Sequence, residues 1–325
     1  MKRTTSAVLG LLVCGLLVYP ALGSAQNFDN VQIRTLQVTE SIYVLQGSGG
    51  NIGVSIGDDG TFIVDDQFAP LTDKIVAAIA ELTDKPVEFV VNSHWHYDHT
   101  DGNENFGRAG ARIIAHENSR RRMETSQIIS LNGRLQEAYS KEGLPKITFG
   151  ESVRFHYNDN AIDIVHFGPA HTDGDAVVFF RDANVIHTGD VFVRYGLPFI
   201  DGPNGGQLSG MIDVLWGVAG LISDNTTIIP GHGQLSTRTD LLEYRSMLVT
   251  IRQRLRIRDI QRSASNGLAV QGFDDIVRLH HRPARNVRHE RPLLGHDLEL
   301  FAPDEVGGLR RQRHRNHQQI QIRAE

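Results

Sequence analysis

The chain has 325 residues, of which 40% are hydrophobic and 22% charged, a balance typical of globular proteins rather than of disordered chains or coiled coils. This length is sufficient for one large domain or two modest ones. The net charge of −5 argues against a general affinity for nucleic acid. The only cysteine is Cys14, which excludes a disulfide scaffold and any metal cluster built from several cysteines.

The N-terminal segment is predicted to be a cleaved signal peptide. Lys2 and Arg3 precede an apolar run over 7–18, which is too short to span a bilayer comfortably. Small residues at 23–25 then fit a cleavage site, so the mature chain is expected to begin near Gln26. We therefore expect a periplasmic or secreted protein, and no membrane span after cleavage.

Short strands and one helix are predicted in the first part of the mature chain. Five apolar runs bounded by turn residues predict strands over 42–45, 51–56, 61–65, 87–92 and 112–115. Apolar residues at helical spacing predict a helix over 71–82.

The middle of the chain continues this alternation. A polar segment rich in arginine and glutamate predicts a helix over 118–142. A loop is predicted over 202–206, and further helices over 211–221 and 239–257. Strands are predicted over 152–157, 161–166, 177–181, 184–188 and 227–229. Strands in two batches favour two sheets flanked by helices, and no dinucleotide-binding or P-loop glycine motif follows a strand.

The C-terminal segment has a different character. Positions 251–325 carry 15 arginines, no lysine and nine acidic residues, and their apolar periodicity weakens after Gly272. Such a composition predicts a solvated, partly disordered basic tail, although an out-of-frame translation of GC-rich DNA would read similarly. The predicted division is a signal peptide at 1–25, a catalytic domain at 26–259 and a tail at 260–325.

Four residues that can bind metal follow the strand predicted at 87–92. They are His94, His96, Asp98 and His99, in the pattern His-x-His-x-Asp-His. In an extended segment the side chains at i, i+2 and i+4 share one side, so the first three are expected to point into one pocket. Packing alone gives no reason to place four such residues within six positions, and the pattern therefore predicts a metal site.

Three later residues complete the candidate set. His171 follows a strand in a turn-like loop, and Asp190 and His232 each stand at a strand end. Loops held by rigid strands are good positions for metal ligands. Each residue is a weak signal alone, but their order after the histidine-rich motif makes the set specific.

This ordered set resembles the metallo-β-lactamase superfamily over about residues 30–255. The resemblance implies an α/β (α+β) fold, a four-layer αββα sandwich with metals at one edge between the sheets. It implies a first metal site of His94, His96 and His171, and a second of Asp98, His99 and His232. Asp190 matches the carboxylate that bridges both metals in glyoxalase II-like members and lactonases, where one β-lactamase subclass has a cysteine.

The function implied by the resemblance is an exported, metal-dependent hydrolase. Two zinc ions per chain, or iron or manganese, would provide a metal-bound hydroxide that opens an amide- or ester-type, β-lactam-like bond in a small molecule. Asp98 is predicted to act catalytically by orienting the water or taking its proton. A lactone or thioester hydrolase and a non-catalytic metal-binding protein are the alternatives.

Residues around this set have predicted roles of their own. Asp65 is expected either to hydrogen-bond a metal ligand or to be a plain turn carboxylate. Trp95 and Tyr97 are expected to pack beneath the ligand loop. The candidates for substrate contact are Arg194, Tyr195 and 204–207. The histidines predicted to be structural or on the surface are His116, His156, His166 and His187.

Overall fold

The computed structural model describes residues 27–264. The predicted signal peptide and nearly all of the predicted tail lie outside these residues. The strands, numbered along the chain, are Arg34–Gln37 (β1), Ile42–Gln46 (β2), Ile52–Gly57 (β3), Gly60–Val64 (β4), Val87–Val91 (β5), Arg112–His116 (β6), Gln127–Ile129 (β7), Arg134–Gln136 (β8), Ile147–Phe149 (β9), Ser152–Tyr157 (β10), Asn160–Val165 (β11), Val177–Phe180 (β12), Val185–His187 (β13) and Thr227–Ile229 (β14).

Six α-helices connect or flank these strands. Short 3-10 turns also occur at Ala69–Leu71, Gly189–Val191 and Gly202–Asn204. The α-helices are Thr72–Ala80 (α1), Tyr97–Thr100 (α2), Asn103–Arg108 (α3), Glu117–Met123 (α4), Leu208–Ala219 (α5) and Arg238–Ala264 (α6). None of the helices within 27–264 is long and apolar enough to cross a membrane.

The strands form two large sheets, and each sheet contains parallel strands whose following loops lie side by side. In the seven-stranded sheet, β1 to β4 pair antiparallel in sequence order, and β5, β6 and β9 then add in parallel. In the five-stranded sheet, β10 to β13 pair antiparallel and β14 joins β13 in parallel. The carboxyl ends of paired parallel strands lie at one sheet edge. The loops after β4 and β5 are therefore neighbours, as are the loops after β13 and β14.

The fold has four layers, with an apolar cluster between each pair of adjacent layers. Phe62 of the first sheet and Ile162 and Phe180 of the second belong to one buried cluster, which fills the space between the sheets. Ile75 of α1 packs in a second cluster on the outer face of the first sheet. Met211 of α5 packs, with residues of α6, in a third cluster on the outer face of the second sheet. The predicted αββα sandwich is confirmed.

The helix predicted over 118–142 is wrong for most of its length. Only α4 is helical, and β7 and β8 form a hairpin beyond it. Gly133 adopts a φ of +69° at the turn, a conformation that glycine adopts readily. Ile129 and Gln136 are buried in the hairpin whereas Ile128 and Leu135 are exposed, which is strand-like alternation. The arginine- and glutamate-rich composition of 118–142 favoured a helix, although residues 127–136 alternate as a strand pair does.

Most of the other predicted elements are confirmed to within a few residues. The residue pattern does not predict β1, β9, α2 and α3, which are only three to six residues long. Segments this short contain too few residues for a period to be detected. Helix α6 begins one residue before its predicted start and continues to Ala264, past the predicted boundary between 259 and 260.

Candidate metal centre

The seven predicted ligands converge at one edge of the two sheets. Four follow β5, His171 follows β11, Asp190 follows β13 and His232 follows β14. The expected extended segment is wrong, because Tyr97–Thr100 is a helical turn. His96 has extended backbone angles immediately before this turn, and the turn itself carries Asp98 and His99. A bend followed by a helical turn, rather than strand alternation, therefore gathers these side chains.

The residues form three overlapping groups in which the candidate ligand atoms all lie within 4.8 Å of one another. The side chains of Asp98 and His232 are 25% and 22% exposed, whereas the others are buried, so the centre opens to solvent on their side. The first group is His94, His96 and His171, and the second group is Asp98, His99 and His232. A further set, His94, His99 and Asp190, overlaps both groups.

The first group holds imidazole nitrogens that face each other. Nε2 of His171 lies 2.8 Å from Nδ1 of His96. The other ring nitrogens are engaged, because Nδ1 of His171 donates to the Phe199 carbonyl at 2.8 Å and Nε2 of His96 lies 3.0 Å from Asp201 Oδ2. In neutral rings bonded in this way, the facing nitrogens both present lone pairs. A cation shared between them suits this arrangement.

His94 supports the same interpretation. Its Nδ1 lies 3.1 Å from the Ser93 hydroxyl, while its buried Nε2 has no hydrogen-bond partner among residues 27–264. Buried polar atoms without a partner are rare and costly. A metal ion on the lone pair of Nε2 would satisfy it, so the donor set fits a metal.

The second group repeats this pattern around His99. Nδ1 of His99 lies 2.7 Å from Asp65 Oδ2, and its Nε2 lies 3.1 Å from Nε2 of His232. Oδ2 of Asp98 lies 3.2 Å from the same nitrogen of His232. The expected contact between Asp65 and a ligand is confirmed. An acceptor on one ring nitrogen fixes the tautomer and directs the other toward a metal.

Asp190 lies between the two groups. Its Oδ1 is 3.3 Å from Nε2 of His99 and 3.5 Å from Nε2 of His232. Its Oδ2 is 3.7 Å from Nε2 of His171 in the first group. A carboxylate with one oxygen toward each group stands where a bridging ligand would be.

Burial and opposite charges act against each other at the centre. Burial alone would raise the pKa of Asp190, but His232 and His99 hold it well below its usual value. Burial would likewise lower the pKa of His99, yet Asp190 and Asp98 raise it well above its usual value. Burial lowers the pKa of His171 to about 4. The field is therefore negative around Asp98 and Asp190, where it favours a cation.

The structure adds supporting residues that the sequence analysis missed. Asp201 accepts from Ser130 Oγ at 2.9 Å and from Asn204 Nδ2 at 2.8 Å, besides its contact with His96. Asp175 accepts from the backbone amide of His171 at 2.6 Å. Both carboxylates stand in glycine-rich loops, where aspartate is common as a turn residue. No sequence signal distinguishes them from turn carboxylates.

The four other histidines of residues 27–264 have the predicted structural or surface positions. His187 is buried, with Nε2 2.9 Å from the Asn51 carbonyl. His116 has Nε2 2.8 Å from a backbone carbonyl and stacks on His166 at 3.9 Å between ring centroids. His156 is exposed on β10.

The predicted neighbours of the ligands divide into packing and rim residues. Trp95 is fully buried against Met123 and Ile129, which confirms its packing role. Nη1 of Arg194, a candidate for substrate contact, instead lies 3.3 Å from Oδ1 of Asp240 on α6 and forms an ion pair with it. Tyr195 is 55% exposed, with its ring 5.6 Å from that of His232, so it lies at the rim of the centre.

Comparisons with known proteins agree with this geometry. Residues 45–247 match the family model described as the metallo-beta-lactamase superfamily. A metallo-beta-lactamase from Pontibacter korlensis superposes with a TM-score of 0.55 and 16% identity, covering 67% of this chain and 99% of that one. A crystal structure of DIM-1 metallo-beta-lactamase superposes with a TM-score of 0.55 and 19% identity, covering 68% of this chain and 99% of that one. DIM-1 exposed to ceftazidime superposes with a TM-score of 0.54 and 20% identity, covering 69% of this chain and 100% of that one. At these identities the structural likeness shows the fold.

Proposed function

Because this chain belongs to the metallo-beta-lactamase superfamily, we propose that it is a metal-dependent hydrolase that opens an amide- or ester-type, β-lactam-like bond in a small molecule. The observation that carries the proposal is the convergence of seven metal-binding side chains on an opening. In the first group, moreover, imidazole nitrogens face each other 2.8 Å apart while their outer nitrogens are engaged. Packing alone does not favour such an arrangement.

The proposed ligands follow the two groups. His94, His96 and His171 would hold one divalent ion, Asp98, His99 and His232 would hold a second, and Asp190 lies where its carboxylate could serve both. Imidazole and carboxylate donors suit zinc, and also iron or manganese. Bound there, such ions polarise a carbonyl oxygen and lower the pKa of water.

The protein's own residues supply orientation and a proton acceptor. Asp65 and Asp201 fix the rings of His99 and His96 through contacts of 2.7 Å and 3.0 Å. Asp98 lies at the opening, with its side chain 25% exposed. A carboxylate oxygen of Asp98 would orient the attacking water or take its proton, which would then pass to the departing nitrogen or oxygen.

A lactone or thioester hydrolase is the second candidate, and the position of Asp190 favours it. The carboxylate oxygens of Asp190 face both groups, at 3.3 Å from His99 and 3.7 Å from His171. The bridging carboxylates of glyoxalase II-like members and lactonases occupy the matching position in the resemblance.

A substrate panel tests the function directly. The zinc-loaded protein should hydrolyse at least one of four probes, namely a chromogenic β-lactam, a γ-lactone, an acyl thioester and an aryl ester, with a preference measured as kcat/KM. Asp98→Asn should lower the preferred rate by about 100-fold or more, because a proton acceptor and a charged ligand of the second ion are lost together. Asp73→Asn, which changes an exposed carboxylate on α1, is the matched control. A metal-loaded protein with no turnover of any probe would support the non-catalytic alternative.

We propose that the protein is exported, with residues 260–325 as an appendage outside the hydrolase domain. The support is the basic and apolar leader that ends in small residues at 23–25. N-terminal sequencing of the protein from a bacterial periplasm or medium should begin near Gln26. Protein recovered only from the cytoplasm with Met1 intact would contradict export.

A further inference from the structure

The loop that joins β2 to β3, together with Gln46 at the end of β2 (residues 46–51), lies against the helical turn that carries Asp98 and His99. The amide of Gly50 donates to the carbonyl of Asp98 at 3.0 Å. A Cβ at Gly50 would collide with the imidazole of His99, so only glycine allows this approach. The segment therefore supports two members of the second group from behind.

The same segment binds the loop that carries the third member of this group, His232. The backbone amide of Asn51 donates to the Gly231 carbonyl at 2.7 Å. Its side-chain Nδ2 donates to the carbonyls of Pro230 and Gly233, at 2.8 Å and 2.9 Å. Gln46 Nε2 donates to Oδ1 of Asn51 at 2.9 Å and to the Gly233 carbonyl at 3.1 Å. One buried amide thus holds the peptides on both sides of His232.

His232 differs from the other ligands in how its position is fixed. An acceptor engages the outer ring nitrogen of His96, His99 and His171. The side chain of His232 is 22% exposed, whereas the rings of His96, His99 and His171 are buried. The position of the His232 ring therefore depends more on the position of its backbone than is the case for the other histidines.

We propose that Asn51 is a positioning residue for His232 and so sets the affinity of the second metal group. The inference rests on the metal binding of the proposed function. Removing the Asn51 side chain takes away the donor that the carbonyls of Pro230 and Gly233 share. The His232 loop then has more freedom, whereas the first group keeps all its contacts.

Zinc titration of the metal-free protein tests this selectivity. In Asn51→Ala, the first zinc should bind within about 3-fold of the parent, while the second should weaken by about 10–100-fold, as losses of supporting contacts at metal sites do. Gln46→Ala, which removes a single donor to Gly233, should give a smaller shift in the same direction. Equal weakening of both zinc ions, or no change in a folded variant, would overturn the proposal.

Asn158→Gly is the matched control. Asn158 is also buried, and its Nδ2 donates to Gly60 O at 3.0 Å and Ser55 Oγ at 3.3 Å. Gly60 is the first residue of β4, whereas Asp65, which contacts His99, follows the last. This control therefore removes a buried side-chain amide at the end of β4 away from the candidate metal centre. Glycine keeps the φ of +54° found at this position. The control should lower stability without separating the affinities of the two zinc ions.

Amide hydrogen exchange in the metal-free protein separates this inference from the proposed function. The amide of Gly231 donates to Gly189 O at 2.9 Å, and that of Arg194 donates to His232 O at 2.9 Å. Both should exchange faster in Asn51→Ala than in the parent, because the loop opens more often. If the parent binds no zinc, the metal proposal fails while this readout still tests the support by Asn51. Unchanged exchange at both amides would overturn it.

Discussion

Removing metal should abolish hydrolysis, and zinc should restore it. His96→Ala is expected to lose metal and activity together, with kcat/KM lower by at least about 100-fold, in line with the cost of disturbing a metal site. The physical reason is that Nδ1 of His96 and Nε2 of His171 lie 2.8 Å apart, with their outer nitrogens engaged, where a shared cation would bind both lone pairs. The substitution also takes away the ring that contacts the buried carboxylate of Asp201 at 3.0 Å.

His156→Ala is the control for this experiment, since His156 is an exposed histidine on β10 away from the ligand loops. Metal content by mass spectrometry and kcat/KM on the preferred probe are measured together for parent, variant and control. A chelated protein that turned over substrate at the parent rate would refute the metal mechanism. Turnover by His96→Ala at the parent rate with metal retained would exclude His96 as a ligand.

The candidate ligands can be predicted from the sequence, but the alternation of an extended strand does not explain their convergence. Spacing after an apolar strand was sufficient to place His94, His96 and Asp98 together. The expected alternation of an extended strand does not hold, because a helical turn at Tyr97–Thr100 carries the carboxylate. Both geometries gather residues at this spacing, so the residue pattern alone does not distinguish between them.

The acceptors that orient the candidate ligands are harder to predict from the sequence than the ligands themselves. Asp65 could be named as a candidate because it ends a strand at the same sheet edge. Asp201 lies 105 positions from His96 in sequence, and only the folded chain brings its Oδ2 to 3.0 Å from that ring. The same is true of Asn51, which reaches the Pro230 carbonyl across 179 positions. Contacts of this range depend on tertiary structure, which local patterns do not encode.

The fold could be predicted best where apolar periods were long. Strands β2 to β6 and β10 to β14 carry apolar runs that end at turn residues, and the structure has them close to the predicted positions. The β7–β8 hairpin could not be predicted, since its strands, Gln127–Ile129 and Arg134–Gln136, mix polar and apolar residues within a segment rich in charge. Burial of Ile129 against Trp95 is a tertiary contact that overrides the helical composition of this segment.

Asp190→Asn should reduce the metal content from near two ions per chain to near one. The carboxylate contributes negative charge between two groups that would each hold a divalent ion, and so reduces the repulsion between the ions. Asparagine keeps the size of the side chain but removes that charge. The second ion, held with the more exposed Asp98 and His232, should be lost first, with an affinity at least about 10–100-fold lower. Zinc stoichiometry after equilibrium dialysis is the measurement.

The outcome also discriminates between the two substrate candidates, because it depends on whether Asp190 contacts both ions. Asp190→Cys offers a single thiolate, which should retain a second zinc and shift the substrate preference if the position governs the subclass. Asp224→Asn changes an ion-paired surface carboxylate, 83% exposed, and should leave both ions in place. Two tightly bound ions in Asp190→Asn would mean that Asp190 is a strand-end carboxylate only. The bridging position would then give no support to a lactone or thioester substrate, whereas the ligand roles of the six other residues would be unaffected.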